Sequence, residues 1–264
     1  MPEYIDQMNR PVKIDRHPQR IVSLVPSQTE LLFDLGVGTR IAGVTHFCVH
    51  PEHQVKDKQK VGGTKRIRFN KIDEISPDLI IGNKEENTKK DIEQLEKKYP
   101  VWLSDVNTLK DVDSLFSQLG NILDSSEKAH YLSKLLNKNM QQIQGLFHKP
   151  KQPTVAYLIW NKPMMVAANN TFINTMLNHI GLRNRYEDTS RYPEITLQQL
   201  DKEPLDFIFL SSEPFPFTSK HVEYFSEKFP NTKVELVDGE LFSWYGTRLL
   251  QAETYFKQLA IKLN

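Results

Sequence analysis

A long amphipathic helix in the middle of the chain is the sequence feature that most constrains the fold. Between Ser125 and His148, apolar side chains recur at spacings of three and four, which places them on one face of a helix. These side chains are Ala129, Leu132, Leu136, Met140, Ile143 and Phe147. At 1.5 Å per residue the segment spans roughly 35 Å, about the diameter of a small domain. The pattern predicts a stiff rod that joins two lobes, an arrangement typical of ligand-binding clamps.

Runs typical of buried strands alternate with helical patterns on both sides of this rod. Ile21–Val25 is such a run in the N-terminal half, and Asp206–Leu210 is one in the C-terminal half. Alternation of this kind predicts mostly parallel sheets covered by helices. We therefore predict an α/β fold with two Rossmann-like lobes joined by a single long backbone helix. The predicted parts are an N-terminal lobe (1–124), the helix (125–148) and a C-terminal lobe (149–264).

Two predicted helix ends bear on the candidate site. Ser27 follows the first strand and Pro26, and Glu30 lies three residues further on, which is the spacing of an N-terminal capping box. At the other end of the chain, Trp244–Leu263 has the pattern of a final helix.

Composition excludes several classes of function. The net charge of +1 gives no indication of nucleic-acid binding, and no stretch reaches the roughly 20 apolar residues that membrane insertion requires. Cys48 is the single cysteine, so no disulfide can form within the chain. The segment Met1–Asp6 is polar and lacks the apolar core of a secretion signal. Together these features predict a cytoplasmic protein, or a periplasmic or extracytoplasmic one if a signal peptide was removed.

Histidine and cysteine residues alternate in the loop after the second predicted strand. His46, Cys48 and His50 would share one face of an extended segment and could converge on zinc, iron or cobalt. The spacing matches no strong zinc motif, and an ordinary surface loop is the alternative. His46 alone is a candidate cleft residue, or an axial ligand to a bound cobalt.

Carboxylate side chains occur in the loops after predicted strands in both halves of the chain. Glu85 follows a strand of the first half, and Glu213 and Glu240 lie in the corresponding loops of the second. Such residues could bind a cationic ligand or a metal, or act as acid and base. Helix capping and solvation are the alternatives.

The run Phe242–Gly246 concentrates aromatic residues near the last helix. Trp244 and Tyr245 could stack on a ligand or could simply pack in the core. Arg248, one turn further on, could bind a carboxylate or phosphate as a planar fork, or form a salt bridge.

A family resemblance runs over about residues 12 to 262, and it is carried by Arg20–Leu32, Ile41–Thr45, Gly62–Gly63 and Ile75–Ile81. In these segments the chain resembles class III periplasmic binding proteins, the vitamin B12- and siderophore-binding type. The resemblance implies a rigid two-lobed receptor that holds its ligand between the lobes. A subgroup without secretion signals, the cobalamin-binding-like helical backbone metal receptors, is more similar still. That similarity lies in Asn83–Asn87, Ser212–Phe217 and Asp238–Gly246.

The resemblance also suggests which residues face the ligand. Ser27 and Phe47 fit a cleft that accepts a corrin ring, and Met165 occupies a position where the B12 receptor has an aromatic residue. Trp160, Phe242, Trp244 and Tyr245 could supply the aromatic surface instead. The implied function is binding of a metal chelate or tetrapyrrole, with a corrinoid first. The bound ligand would be cobalamin or an iron chelate, and no cofactor is required.

Transport members of the family dock on a membrane permease through an acidic residue on each lobe. Asn70 and Gln198 stand at those positions and carry no charge, so the resemblance leaves an ABC permease partner in question. Two rival functions follow: a ferric-siderophore receptor of an ABC importer, and a cytoplasmic enzyme that uses the cleft carboxylates.

Overall fold

The computed structural model describes residues 2–14, 17–147 and 150–263. The chain divides into two α/β units. The first runs to Leu136 and also includes Tyr245–Arg248, and the second comprises Asn137–Trp244 and the chain from Leu249 onward. The predicted α/β class is confirmed. The predicted domain boundaries stay a prediction, and His148, the last residue of the predicted rod, lies outside the described residues.

The first unit is built on a parallel sheet whose strands are short and, apart from the edge strand Gln59–Lys60, mostly apolar. Its described strands are β1 (Glu3–Ile5), β2 (Pro11–Lys13), β3 (Ile21–Ser23), β4 (Ile41–Val44), β5 (Gln59–Lys60), β6 (Gly62–Gly63), β7 (Arg66–Ile67), β8 (Leu79–Asn83) and β9 (Val101–Ser104). Five of them form a sheet in the order β5-β4-β3-β8-β9, and every pair in it is parallel. β1 pairs with β2, and β6 with β7, as antiparallel hairpins. Val22, Ile80 and Leu103 place side chains in one core of this unit.

Helices connect these strands. They are α1 (Pro26–Asp34), α2 (Glu52–Val55), α3 (Phe69–Ile75), α4 (Lys89–Leu95), α5 (Leu109–Ile122) and α6 (Ser126–Ile143), with a 3-10 turn at Gly38–Arg40. The predicted capping box at Ser27 is wrong. Helix α1 starts two residues earlier, with Pro26 in its first turn; its N-cap is Val25 instead of Ser27, and no side chain caps it. Proline suits that position because its missing N–H would have no partner inside the helix.

Helix α6 is shorter than the predicted rod but buries the predicted face. Ala129, Leu132, Leu136, Met140 and Ile143 are all buried. The helix ends at Ile143, two residues before Gly145, which has a φ of +69°. Glycine adopts this left-handed conformation without the steric cost of a Cβ atom, and it commonly terminates helices.

The second unit has its own, mostly parallel sheet. Its described strands are β10 (Thr154–Trp160), β11 (Met165–Val166), β12 (Arg183–Asn184), β13 (Phe207–Ser211) and β14 (Lys233–Val237). The sheet order is β11-β10-β13-β14, and β12 pairs with β10 as well. β11 is antiparallel to β10, and the other pairs are parallel. Leu158, Ile208 and Leu210 lie in the core of this unit.

The last helix begins later than predicted. The helices of this part are α7 (Phe172–His179), α8 (Leu197–Leu200), α9 (Ser219–Lys228), α10 (Gly239–Ser243) and α11 (Ala252–Leu263), with a 3-10 turn at Thr247–Gln251. Trp244 ends α10 in an extended conformation, and Gly246 has a φ of +124°. A continuous helix over Trp244–Leu263 is therefore ruled out by the backbone at these two residues.

Candidate functional site

In each sheet, strands that follow one another in the chain lie first on one side of a central strand and then on the other, so the strand order reverses at one pair of neighbouring strands. In the first unit, β4 and β5 lie on one side of β3, and β8 lies on the other. In the second unit, β11 and β12 pair with one edge of β10, and β13 pairs with the opposite edge. Open α/β sheets bind ligands outside the carboxyl ends of the strands at such a reversal. The loops after β3, β8, β10 and β13 are therefore the candidate sites.

Asn83, the last residue of β8, shapes the loop that follows it. Its side-chain nitrogen donates to Ser104 Oγ at 2.9 Å. Its side-chain oxygen accepts from the backbone N–H groups of Glu85 at 2.7 Å and Glu86 at 3.0 Å. The ammonium of Lys65 donates to the carbonyl oxygen of Glu85. The candidate residue Glu85 is thus half-buried in a loop whose backbone is held from two directions.

A polar cluster forms where β8 and β9 end. We define it as Gln28, Asn83, Glu86, Ser104 and Tyr245. Gln28 is fully buried and donates its side-chain N–H to Ser104 Oγ. Burial raises the pKa of the Tyr245 hydroxyl, the Glu86 carboxylate adds to this rise, and hydrogen bonds with Ser104 and Gln28 oppose it. Tyr245 is therefore a neutral phenol at physiological pH, and its buried ring is not presented for stacking on a ligand.

Glu86 brings an acidic group into this cluster. Burial raises the pKa of its carboxyl, and the neighbouring Glu85 carboxylate raises it further. The Lys65 ammonium and a hydrogen bond with Thr64 oppose the rise. Helix capping, the alternative for this part of the chain, is carried out by Thr88, whose Oγ1 accepts from the backbone N–H of Asp91 at 3.2 Å.

The loop after β4 separates the three residues that alternate in sequence. His46 is exposed, whereas Cys48 is buried and its Sγ lies 3.1 Å from Thr29 Oγ1 and 3.2 Å from Thr45 Oγ1. Within the described ranges, no three His, Cys, Asp or Glu side chains are grouped to hold a metal ion. The predicted convergence of His46, Cys48 and His50 is therefore wrong, because the thiol points into the unit. His46 as a single axial ligand stays a prediction.

Phe47 is the exposed aromatic residue of this loop. It is 58 % exposed. A Cβ atom added to Gly63 would lie 3.1 Å from its ring, so the phenyl group packs against the backbone of the β6–β7 hairpin. The ring is supported on one side and open to solvent on the other, as expected of a contact for an apolar ligand.

Arg248 forms an ion pair inside the first unit. Its Nε donates to Glu30 Oε2 at 3.0 Å, and its Nη2 lies 2.9 Å from Glu30 Oε1. Both side chains are largely buried. Burial raises the pKa of the Glu30 carboxyl, and the charge of Arg248 opposes this. The fork predicted to bind a ligand anion instead binds Glu30, the residue predicted to form the capping box. Ser27, in the same helix, is buried.

In the second unit, the carboxylate of Glu213 connects the loop after β13 with the end of α10. Its Oε1 accepts from Ser243 Oγ at 2.7 Å and from the indole N–H of Trp244 at 2.9 Å. Trp244 is 8 % exposed. The two candidate residues Glu213 and Trp244 are thus brought together as hydrogen-bond partners, and little of the indole is open to a ligand.

Phe242 is a core residue, so its prediction as a ligand contact is wrong. Its side chain is fully buried. Its ring centroid lies 5.0 Å from that of Tyr157 and 4.9 Å from that of Phe256, among the rings that fill this unit. An aromatic residue type in a ligand-binding motif does not reveal which way the side chain points.

Trp160 and Met165 adjoin across two strands. Trp160 ends β10, is 38 % exposed, and pairs with Met165 of β11 in the antiparallel register. The indole N–H donates to the carbonyl oxygen of Lys162 at 3.1 Å.

Glu240 lies half-buried in the first turn of α10, where its backbone N–H donates to Asp238 Oδ1 at 3.0 Å. A carboxylate in that position stabilises a helix N-terminus.

Sequence reasoning missed the residues that organise these loops. Gln28 lies within the matching segment Arg20–Leu32 and Phe215 within Ser212–Phe217, but neither was singled out there, and Ser104 lies in no matching segment. Their importance comes from residues distant in the chain, since 76 positions separate Gln28 from Ser104. The one available signal was position, because Ser104 directly follows the apolar run Val101–Leu103 and ends β9 in the structure.

Comparison with known proteins identifies the family. The sequence profile of the periplasmic binding protein family matches residues 21–231. The vitamin B12-binding protein of Vibrio campbellii is 25 % identical over 195 residues, which is 73 % of this chain and 70 % of the relative. An uncharacterized ABC transporter substrate-binding lipoprotein of Bacillus subtilis, YvrC, is 27 % identical over 205 residues, or 75 % of this chain and 65 % of that protein.

Solved structures share the fold at lower sequence identity. The petrobactin-binding protein YclQ of Bacillus subtilis has a TM-score of 0.83 at 16 % identity and covers 100 % of this chain and 98 % of its own. A periplasmic haem-binding protein of Pseudomonas aeruginosa has a TM-score of 0.76 at 20 % identity and covers 92 % of each chain. At these identities the likeness concerns the fold alone.

The comparisons overturn the predicted compartment. A match to a periplasmic family and similarity to a lipoprotein point to the periplasmic or extracytoplasmic side, so the cytoplasmic prediction is wrong. Near-neutral charge and a single cysteine occur in proteins of either compartment, and composition therefore could not decide the question. Over the described ranges, every helix is too short or too polar to span a membrane.

Proposed function

Because the chain belongs to the periplasmic binding protein family, we propose that it binds a metal chelate or a tetrapyrrole, with a corrinoid of the cobalamin type as the first candidate. Membership makes it a solute-binding protein and not an enzyme. The rival function, acid–base catalysis by Glu85, Glu213 and Glu240, is accordingly set aside. The carboxylate of Glu213 is already committed to two hydrogen bonds within its unit.

The names of the related proteins support this ligand class. A vitamin B12-binding protein, a haem-binding protein and a petrobactin-binding protein are all similar to this chain. Cobalamin, haem and an iron-loaded siderophore are bulky organic molecules that enclose a metal. Pockets for such ligands are mostly apolar, with a few polar groups that fix orientation.

The observation that carries the proposal is the exposure of aromatic rings at strand carboxyl ends. Phe47 after β4 is 58 % exposed, and Trp160 at the end of β10 is 38 % exposed. Aromatic side chains of this size can bury a large apolar area against a ligand. Their position after strand carboxyl ends distinguishes Phe47 and Trp160 from exposed rings elsewhere, such as Tyr224. Both rings lie beyond the carboxyl ends of strands, the edge at which open α/β folds bind ligands, and Trp160 also flanks the reversal of strand order in its sheet.

A titration panel tests the proposal. Purified protein is titrated by calorimetry with cyanocobalamin, cobinamide, haem and ferric siderophores, and tryptophan fluorescence is followed in parallel. We expect one ligand per chain for at least one corrinoid or haem. Phe47→Ala and Trp160→Ala should each weaken the binding of that ligand several-fold. Binding of ferric siderophores alone would favour the importer receptor for siderophores, and no heat or fluorescence change with any ligand would overturn the proposal.

The proposal extends to a transporter partner. YvrC is named as an ABC transporter substrate-binding lipoprotein, and we infer a comparable partnership here. Asn70 in α3 and Gln198 in α8 are exposed but uncharged. Docking on a permease would therefore use other acidic groups. Asp73 already accepts hydrogen bonds from Tyr99 and Lys98, which makes the exposed Asp201 the better candidate.

A further inference from the structure

We propose that Phe215 is a positioning residue that holds the Trp160 indole in place, so that the exposed part of the indole receives a planar ring of the bound ligand. The inference rests on the proposed function and narrows it to ligands with a flat conjugated ring. Phe215 follows β13, and Trp160 ends β10. The two residues therefore flank the reversal of strand order in the second unit, where ligands of open α/β sheets bind.

The backbone ties the two loops together. The N–H of Phe215 donates to the carbonyl oxygen of Ile159, the residue before Trp160, at 3.3 Å. This bond connects the end of β10 to the loop after β13, beyond the last paired residues of the two strands. The loop carrying Phe215 is thus held against the end of the strand that carries Trp160.

A chain of ring contacts connects Trp160 to the core. The centroid of the Trp160 ring lies 5.6 Å from that of Phe215 at an interplanar angle of 67°, and Phe215 lies 4.7 Å from Phe217. Phe217 is 4 % exposed and belongs to the core of the unit. His221 packs edge-on against both phenylalanine rings, at 5.4 Å and 5.2 Å. Edge-to-face contacts at these separations are favourable and directional, so the exposed indole is braced from the core outward.

The polar edge of the indole is also fixed. Its N–H donates to the Lys162 carbonyl oxygen at 3.1 Å, and the imidazole Nδ1 of His221 accepts from the backbone N–H of Thr218 at 3.0 Å. A side chain ordered before binding loses less conformational entropy when the ligand arrives. A rigid flat surface suits a flat partner. A globular chelate, in which ligand arms wrap the metal, would gain little from it.

The test compares ring-removing and ring-retaining substitutions. Phe215→Leu removes the ring, Phe215→Tyr keeps it, and Phe215→Met is a second ringless variant should Phe215→Leu fail to fold. Tyr224→Leu is the matched control, because Tyr224 is an aromatic residue of the same unit that is 44 % exposed and contacts Phe225. Affinities for haem, cyanocobalamin and the globular chelate ferrioxamine are measured by calorimetry, and folding is verified by thermal unfolding.

We expect Phe215→Leu to weaken binding of haem or cyanocobalamin about tenfold, and Phe215→Tyr and Tyr224→Leu to change it less than twofold. Ferrioxamine affinity should not respond. In a Trp160→Ala background, Phe215→Leu should cause no further loss, because a positioning residue acts only through its partner. An unchanged affinity, or an equal loss in that background, would overturn this inference alone. Failure of the wild-type protein to bind any of the panel would overturn the proposed function and this inference with it.

Discussion

At the scale of single residues, the carboxylate of Glu213 organises the chain around it. Glu213 accepts hydrogen bonds from Ser243 and from the indole of Trp244 through one oxygen atom. Trp244 is buried, and its N–H would be costly to leave without an acceptor. The pair therefore sets the conformation of the chain at the end of α10.

A double-mutant cycle measures the coupling free energy between Glu213 and Trp244. We expect Glu213→Leu and Trp244→Phe each to lower the free energy of unfolding, with a coupling energy of about 1.5 kcal/mol, the scale of a hydrogen bond to a charged group. The measurement is urea denaturation followed by circular dichroism. Glu223→Gln, at an exposed carboxylate of α9, should change stability by less than about 0.5 kcal/mol. Additive effects of the two substitutions would show that the bond contributes nothing.

Residue types could be predicted from the sequence, but residue partners could not. Arg248 was recognised as a fork for a carboxylate, and that chemistry is what the structure shows. The carboxylate is that of Glu30, which lies 218 positions away in the chain. Phe242 lies in a run rich in aromatic residues, and only the packing of the second unit decides that its side chain is buried.

At the scale of elements, the apolar pattern predicted strands and helix faces well, and predicted helix ends less well. The buried face of α6 follows the predicted period, yet the helix stops at Ile143 instead of continuing to His148. Gly145 was a visible stop signal because glycine often adopts the left-handed conformation just beyond a helix. Gly246 gave a similar signal inside the predicted final helix.

The Glu86 carboxyl, in the loop between β8 and α4, leads to a prediction about how the stability of the protein depends on pH. Folding raises the pKa of the Glu86 carboxyl through burial, so the native state binds more protons than the unfolded state above the ordinary glutamate value of 4.5. The carboxyl's contribution to the free energy of unfolding therefore falls as pH rises through that value. Glu86→Gln should thus gain stability relative to the wild type between about pH 4 and pH 7, as measured by thermal unfolding.

The same experiment contains its baseline. Well below pH 4.5 the carboxyl is protonated in the native and unfolded wild-type protein alike, so the difference between the two proteins there reflects only the change of side chain. A difference that stays constant across the whole range would contradict a raised pKa.

At the scale of the whole molecule, ligand binding should appear as stability. A ligand that binds only the native state raises the free energy of unfolding by about 2.7 kcal/mol at a free concentration one hundred times its Kd. We expect the Tm to rise with increasing cyanocobalamin or haem, as followed by differential scanning calorimetry. Trp160→Ala should show a smaller rise at equal ligand concentration. A Tm that is independent of both ligands would count against specific binding.

The class of the molecule could be predicted because it depends on patterns repeated along the chain. Alternating strands and helices on both sides of α6 are sufficient to indicate two α/β units. The assignment of Tyr245–Arg248 to the first unit could not be predicted, since it depends on contacts with Gln28, Glu30 and Ser104 that only the folded chain brings together.

That assignment has a consequence for how the protein is made. During translation, the first 136 residues leave the ribosome long before Tyr245 and Arg248 are synthesised. Until then, Glu30 is without its guanidinium partner, and the buried amide of Gln28 is without the phenol. The unit nearest the amino terminus is thus completed only after most of the second unit has been synthesised, and a chain truncated before Arg248 would carry an incomplete version of it.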